Sequence, residues 1–361
     1  MFGRHQTTPV KRMLIMRFSA MGDVAMTVPV VYAVATQNPE LRITMMTRTR
    51  LTPLFEWMPS NVTVMGVDLE QHEGLKGLTN LYLDLRKHHF DTVVDLHDVL
   101  RTIYLRICFR VNGTHVVTVD KGREGKKELI GNALTHEELK PMAERYADVF
   151  RNLGLRADLS KKMNINLRNE CFAPVRHLAG EKQEGEKWVG VAPFAAHIQK
   201  VYPLEKMQQV VHLLADKGHK VFLFGAGEME TKVLSSWVET YRKTEGSSKQ
   251  SRGEVCCTCG KLGGLKNEML LMSLLDLMIS MDSANMHIAS MLDVPVLSIW
   301  GATHPKAGFV GYGQKEDSMV QVDLPCRPCS VYGNKACLFG DIRCMNIAPE
   351  TIVNKAEKML L

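Results

Sequence analysis

Asp276-Leu277-Met278-Ile279-Ser280-Met281-Asp282-Ser283-Ala284-Asn285-Met286-His287-Ile288-Ala289-Ser290-Met291, followed two residues later by Val294-Pro295-Val296-Leu297-Ser298-Ile299-Trp300-Gly301-Ala302-Thr303-His304-Pro305, reads as strand, turn, helix and second strand. Leu277 to Ser280 and Val296 to Ile299 are short apolar runs of the kind buried on both faces of a parallel sheet. Between them, Asp282 to Asn285 supplies small polar residues suited to start a helix. The same alternation runs outward along the chain. Strands are read at Met13 to Phe18, Arg42 to Thr47, Asn61 to Val67, Thr92 to Asp95, Trp188 to Ala192 and Lys220 to Phe224, with helical periods between them. That many βα units fill two sheets, so the fold class is α/β.

The pattern is lost between Leu155 and Lys187, where Glu181 to Lys187 (EKQEGEK) is charged and lacks apolar period. The expected division is residues 1–170, residues 171–348 and a closing helix at 349–361, with helical spacing at Ile352, Val353, Ala356, Met359 and Leu360. A polar stretch from Thr244 to Glu254 reads as a surface loop.

With 361 residues, 45% hydrophobic and 23% charged, the chain is ordinary globular protein, long enough for two separate cores. Its longest nearly apolar stretch, Met269 to Met281, is interrupted by Asp276 and falls short of the roughly 20 residues a bilayer span requires. Met1 to Val10 is polar and the apolar run after it breaks at Arg17, so no secretory segment is read and a cytoplasmic location is expected. There, nine cysteines are thiols or metal ligands rather than a disulfide framework. The net charge of +6 favours acidic partners, among which lipid headgroups, phosphorylated sugars and nucleic acid all qualify.

Chemistry in open α/β sheets sits where strands end and helices begin, because backbone N–H groups are exposed there. The first strand ends in Arg17-Phe18-Ser19-Ala20-Met21-Gly22-Asp23, with Asp23 at the mouth as a helix cap or a functional carboxylate. The strand at Trp188 runs into Pro193-Phe194-Ala195-Ala196-His197-Ile198-Gln199-Lys200-Val201-Tyr202-Pro203, where Lys200 is a solvated lysine or an anion ligand. Phe222-Leu223-Phe224-Gly225-Ala226-Gly227-Glu228-Met229-Glu230 begins like a dinucleotide fingerprint, but Glu230 stands where the third glycine belongs, so a nicotinamide cofactor is not read. His287 lies one turn inside its helix, as core or ligand.

Cys326, Cys329, Cys337 and Cys344 are reduced thiols or, less readily because the second pair is spread wide, a structural zinc site. Arg48, Arg50, Arg101, Arg106, Lys121, Arg123, Lys126 and Lys127 form basic groups that are either a solvated face or a site for an anionic ligand. Asp95-Leu96-His97 to Arg101 lies at a strand's carboxyl end.

These stretches resemble glycosyltransferase family 9, the heptosyltransferases of the bacterial lipopolysaccharide core. The R-F-S-A-M-G-D-V core within Leu14 to Val31 is similar to the family's opening motif, Lys200-Val201-Tyr202-Pro203 to its lysine-aromatic-proline step, and Asp282 to Pro305 to its signature. Cys326-Arg327-Pro328-Cys329 fits its cysteine segment. The likeness runs from about Lys11 to Leu361, specific in the C-terminal half and loose in the N-terminal half. It implies two doubly wound Rossmann-like domains facing a cleft, the GT-B architecture, with the acceptor bound by the first and a nucleotide sugar by the second. Asp23 is then the catalytic base. Lys200, Glu228 (with Glu230 as fallback), Asp282, Ser283, Ala284, Asn285 and His287 bind the donor, and Ser19, Arg48, Arg50, Arg101 and Lys121 bind the acceptor. Ser283-Ala284 stands where the family has Thr-Gly, leaving less room for backbone approach to a phosphate.

An inverting transfer needs one carboxylate to take the acceptor's proton as its oxygen attacks opposite the departing nucleotide. Asp is a weak base, so orientation must supply much of the rate. No Asp-x-Asp triplet is present, so no cofactor and no divalent metal are expected, and lysine, helix dipoles and hydroxyls would meet the leaving-group charge. The expected partners are an ADP-heptose-like donor, an anionic glycolipid acceptor and, peripherally, the inner membrane, with no nucleic acid. Two other readings remain at this point, a nucleotide-sugar epimerase of the same architecture and a non-catalytic nucleotide-sugar binder.

Overall fold

The computed structural model describes residues 11–243 and 253–361; the first ten residues and all but the end of the stretch from Thr244 to Glu254 lie outside the described residues. In chain order the elements are β1 (Arg12–Met16), α1 (Met21–Gln37), β2 (Arg42–Arg48), β3 (Val62–Val67), α2 (Gly74–Arg86), β4 (Thr92–Asp95), α3 (Leu100–Val111), β5 (His115–Thr118), α4 (Arg123–Glu128), α5 (Met142–Arg151) and α6 (Ala173–Ala179). They continue with β6 (Trp188–Ala192), α7 (Leu204–Asp216), β7 (Lys220–Leu223), α8 (Gly227–Lys243), β8 (Val255–Cys257), α9 (Leu265–Met272), β9 (Leu277–Met281), α10 (Ala284–Met291), β10 (Val296–Trp300), β11 (Met319–Gln321) and α11 (Pro349–Leu360).

The strands form two sheets, ordered β3-β2-β1-β4-β5 and β11-β10-β9-β6-β7-β8, and every pairing is parallel. This is the doubly wound order, and it makes two topological switch points, one between β1 and β4 and one between β6 and β9. Central strands are apolar on both faces because helices cover both. Met13, Leu14, Ile15 and Met16 of β1 are all fully buried, with Leu14 in register between Thr44 and Val93. In the second sheet Gly190 of β6 is required by packing, since a Cβ there would strike the side chains of Leu275 and Met278.

Each sheet has its own core. Leu14, Met16, Phe18, Val93, Leu105 and Phe109 anchor the first. Val189, Val191, Val221, Leu223, Leu277 and Ile299 anchor the second, against which α11 lays Ile352, Val353, Ala356 and Leu360. The closing helix read from the sequence is therefore part of the second core. No helix among the described residues is long and apolar enough to cross a membrane.

The chain divides into two units, but not at one point. Residues up to Lys121 join Ala143–Lys161 in the first, while Gly122–Met142 join Lys162–Leu361 in the second. A single cut near residue 170 does not contain this excursion. The 122–142 strap is fastened to the second unit by Lys306, whose Nζ donates to the carbonyls of Ala133 (2.8 Å) and His136 (2.9 Å), and by Gly131 N–H donating to Pro328 O (3.1 Å). Lys126 is buried there over the Phe309 ring, 4.3 Å from its centroid. The chain then returns to the first unit, where the Gln37 side chain exchanges hydrogen bonds with the Asp158 backbone and the Asn38 side chain with that of Arg156. The patternless stretch after Leu155 also holds one element, α6, a seven-residue helix with Pro174 at its start and Gly180 (φ +71°) at its end.

Candidate active site

At the first switch point, Arg17 follows directly on β1 and Asp95 ends β4. Arg17 is buried, donates from one guanidinium nitrogen to Leu96 O (2.5 Å) and pairs through the other with Asp23 Oδ1 (2.8 Å). Asp23 is the third residue of α1, and its Oδ2 accepts the Ala20 N–H (3.2 Å) across the start of the helix. It therefore caps its helix and still leaves 30% of its side chain exposed. A carboxylate has more lone pairs than these two contacts use, so one remains for an incoming hydroxyl.

His97 is the centre around which the other groups gather. Its Nε2 lies 3.3 Å from Ser19 Oγ, its ring meets Phe18 edge-on, and its buried Nδ1 has no partner among the described residues. Burial first, then the charges of Arg17, Lys121 and Arg101 against that of Asp23, push its pKa down to about 3. The imidazole is thus neutral and can only share a proton with its neighbours. Its backbone is set by Asp95, whose Oδ1 accepts the N–H groups of His97 (2.8 Å) and Asp98 (2.9 Å). Arg106 holds Asp95 and Asp98 from behind (3.4 and 3.2 Å).

Ser19, Asp23, Arg101 and Lys121 are therefore brought together around one imidazole. Arg48 and Arg50 are not among the charges that act on it most strongly. Arg48 ends β2 and Arg50 follows it at the same edge of the sheet, Arg48 with a buried Nε unpartnered among the described residues and Arg50 exposed.

At the second switch point, the segment after β6 carries Lys200 and the turn after β9 carries Asp282. Lys200 Nζ lies 2.8 Å from Asp282 Oδ2, which also accepts a hydrogen bond from Thr303 Oγ1 (2.8 Å) in the loop after β10. Gly333 allows the lysine to lie flat, since a Cβ there would strike its Cγ and Cδ. Ser283 caps α10 from extended backbone, with its Oγ 3.1 Å from Ser280 Oγ, and Ala284 and Asn285 form the first turn, half-exposed. His287 is buried one turn further in. The opening of α10 is a place for an anion, with an ammonium group beside it.

After β7 the two glutamates divide. Glu230 Oε2 folds back to accept the Ala226 N–H (2.8 Å), while Glu228 is exposed at the first turn of α8. A side chain at Gly225 would collide with Leu234 and crowd Glu230.

Sequence reasoning missed Arg327. Burial lowers its pKa, and its guanidinium donates to the carbonyls of Gly301 (2.5 Å), Val322 (2.6 Å), Thr303 (2.9 Å) and Trp300 (3.3 Å). It thereby fixes the loop whose Thr303 holds Asp282. The only sequence signal is its place inside Cys326-Arg327-Pro328-Cys329. The four cysteines of that region are free thiols, and among the described residues no three His, Cys, Asp or Glu side chains are arranged to hold a metal ion.

His304, next to Thr303, is pushed down to about 4, by burial first and then by Arg327 and Lys306, and its Nδ1 accepts the Lys306 N–H (3.2 Å). His97 and His304 each titrate near 6.5 when unfolded but far lower when folded, so the stability they support is complete above pH 6.5 and falls as pH drops towards 3 and 4 respectively. Each unit is expected to lose about 2 kcal/mol from its histidine by about pH 5. Urea melts at about pH 7.5 and about pH 5 should show this, with a shallower pH dependence in His97→Asn and His304→Asn. Equal slopes in the variants would refute the assignment.

The second unit offers an ammonium group beside the start of a helix and the first a partly exposed carboxylate; a glycosyltransferase built on two Rossmann-like units has use for both kinds of group. The model of glycosyltransferase family 9 (heptosyltransferase) matches residues 78–338, and the chain belongs to that family. It is 24% identical over 291 residues to lipopolysaccharide heptosyltransferase 3 of Escherichia coli strain K12, across 78% of this chain and 80% of that one. A glycosyl transferase family 9 structure from Veillonella parvula superposes with a TM-score of 0.74 over 99% of both chains at 20% identity. Escherichia coli ADP-heptose lps heptosyltransferase II gives 0.69 over 97% of this chain and 98% of that one at 17% identity. The fold expected from the sequence, doubly wound sheets of the GT-B class, is the one observed.

Proposed function

We propose that this glycosyltransferase moves a heptose from ADP-heptose to an acidic lipopolysaccharide-core acceptor with inversion at the anomeric carbon. The observation that carries this reading is the pairing of functions at the two switch points, an accessible carboxylate held by Arg17 at one and Lys200 beside the start of α10 at the other. Asp23 takes the acceptor hydroxyl's proton as that oxygen attacks opposite the departing ADP. Ser19, Arg101 and Lys121, with Arg48 and Arg50 further along the sheet edge, bind the anionic acceptor. Lys200, with the N–H groups of Ser283, Ala284 and Asn285, meets the diphosphate, and Asp282 acts by holding Lys200 in place. Glu228 binds the nucleoside, and no divalent metal is required. The acceptor's lipid places the enzyme at the cytoplasmic face of the inner membrane as a peripheral protein.

The test is a thermal-shift panel of nucleoside diphosphates and nucleotide sugars in metal-free buffer. A true donor at a hundred times its Kd should stabilise the fold by about 2.7 kcal/mol. ADP and ADP-sugars are expected to do so and UDP-sugars are not. A response to UDP-sugars alone, or one that appears only with added magnesium, would overturn the donor reading.

A further inference from the structure

The helices α2 and α3 present an apolar surface to solvent that the first unit does not need for its own core. On α3, Thr102, Leu105 and Phe109 face inward, and Leu105 and Phe109 belong to the core. On the other side Leu100, Ile103, Ile107 and Val111 recur at helical spacing, with Leu100 87%, Ile107 54% and Val111 85% exposed. A helix face turned to water is normally polar, and one with such a stripe has a partner. Helix α2 exposes apolar side chains as well, Leu75 (69%) and Leu83 (47%). A hydrogen bond between Thr79 Oγ1 and Tyr104 Oη (2.7 Å) ties the two helices together.

The charge of this surface selects the partner. Helix α3 carries three arginines and no acidic residue. Arg106 is turned inward onto Asp95 and Asp98, but Arg101 and Arg110 have no ion pair among the described residues. Lys76 and Arg86 add to them on α2, while Asp84 is held by Lys87. A second copy meeting this face across a two-fold axis would set arginine against arginine. An acidic bilayer surface satisfies both features at once, since aliphatic side chains enter the headgroup boundary while long cationic chains reach the phosphates.

We propose that the outward face of α2 and α3 is a docking surface for a bilayer carrying anionic headgroups, an inference that rests on the lipid-borne acceptor read above and names the surface that meets the membrane. The experiment is co-sedimentation of the full chain with sucrose-loaded vesicles of phosphatidylcholine alone and of phosphatidylcholine with phosphatidylglycerol. Binding is expected to the anionic vesicles only and to weaken with salt. Ile107→Asp with Val111→Asp is expected to lower the partition coefficient at least about tenfold, and Arg110→Glu about fivefold. Their melting temperatures should stay close to the parent's, because Ile107 and Val111 are more exposed than buried and belong to no core. Failure of the parent to bind anionic vesicles, undiminished binding by the variants, or a parent dimer that the variants break would each overturn the proposal. Donor binding is read separately by thermal shift. Vesicle binding without a donor response would sink the donor reading and leave this one standing, and the reverse pattern would do the opposite.

Discussion

Asn in place of Asp23 is expected to lower kcat for transfer by about a hundred- to ten-thousandfold, the range a general base contributes, while leaving donor affinity unchanged. Asn is the informative substitution because it keeps the size of the side chain and its one amide oxygen can still accept from the Ala20 N–H, so the turn into α1 is kept while the proton acceptor and the ionic pair with Arg17 are lost. Both changes remove the counter-charge of a buried guanidinium, but Ala also takes away the side-chain acceptor of the Ala20 N–H, and a loss of activity would then be more heavily confounded with a loss of fold. Steady-state kinetics with saturating donor, alongside a donor titration followed by thermal shift, separates the two. Wild-type turnover in Asp23→Asn would show that the residue is a helix cap and nothing more.

The second large effect is expected at Lys200. Met in its place should cut kcat/KM for the donor by about a hundred- to a thousandfold, because the charge that meets the departing diphosphate is lost where water is scarce. The variant also leaves Asp282 buried with Thr303 as its remaining side-chain partner, so some loss of stability accompanies it. Asp282→Asn supplies the control. It keeps an acceptor for Lys200 and Thr303 and removes a negative charge near the diphosphate, so its defect should be smaller than that of Lys200→Met. A larger defect in Asp282→Asn would mean that the carboxylate itself touches substrate, and the roles given to the pair would have to be exchanged.

How far these residues were legible depended on whether their setting was local. β4 and β6 are read at their observed bounds because a central parallel strand is an unbroken apolar run, and β1, β2, β7, β9 and β10 are shifted by no more than two residues at an end. The short edge strands β5, β8 and β11 carry little such signal. Asp23, Lys200 and Asp282 announce themselves by standing where a strand gives way to a helix. His97 and Arg327 do not. A lone histidine and a lone arginine take their meaning from partners that lie far away in sequence, Ser19 for the one and Gly301 to Thr303 for the other, and no periodicity records such pairings. The 122–142 excursion is hidden for the same reason, since its basic residues read as a solvated face although Lys126, Leu129 and Ala133 are buried.

That strap bears on how the two halves of the molecule could be inherited or exchanged. Because the backbone changes unit after residues 121, 142 and 161, neither half exists as one uninterrupted length of chain. A fragment ending at Lys121 forfeits α5, and one beginning at Lys162 forfeits the segment that Lys306 grips. Swapping acceptor specificity between relatives by a single crossover would therefore graft a foreign strap onto the donor-side unit or sever a native one. Recombination in this fold is constrained to keep residues 122–142 in company with the C-terminal half.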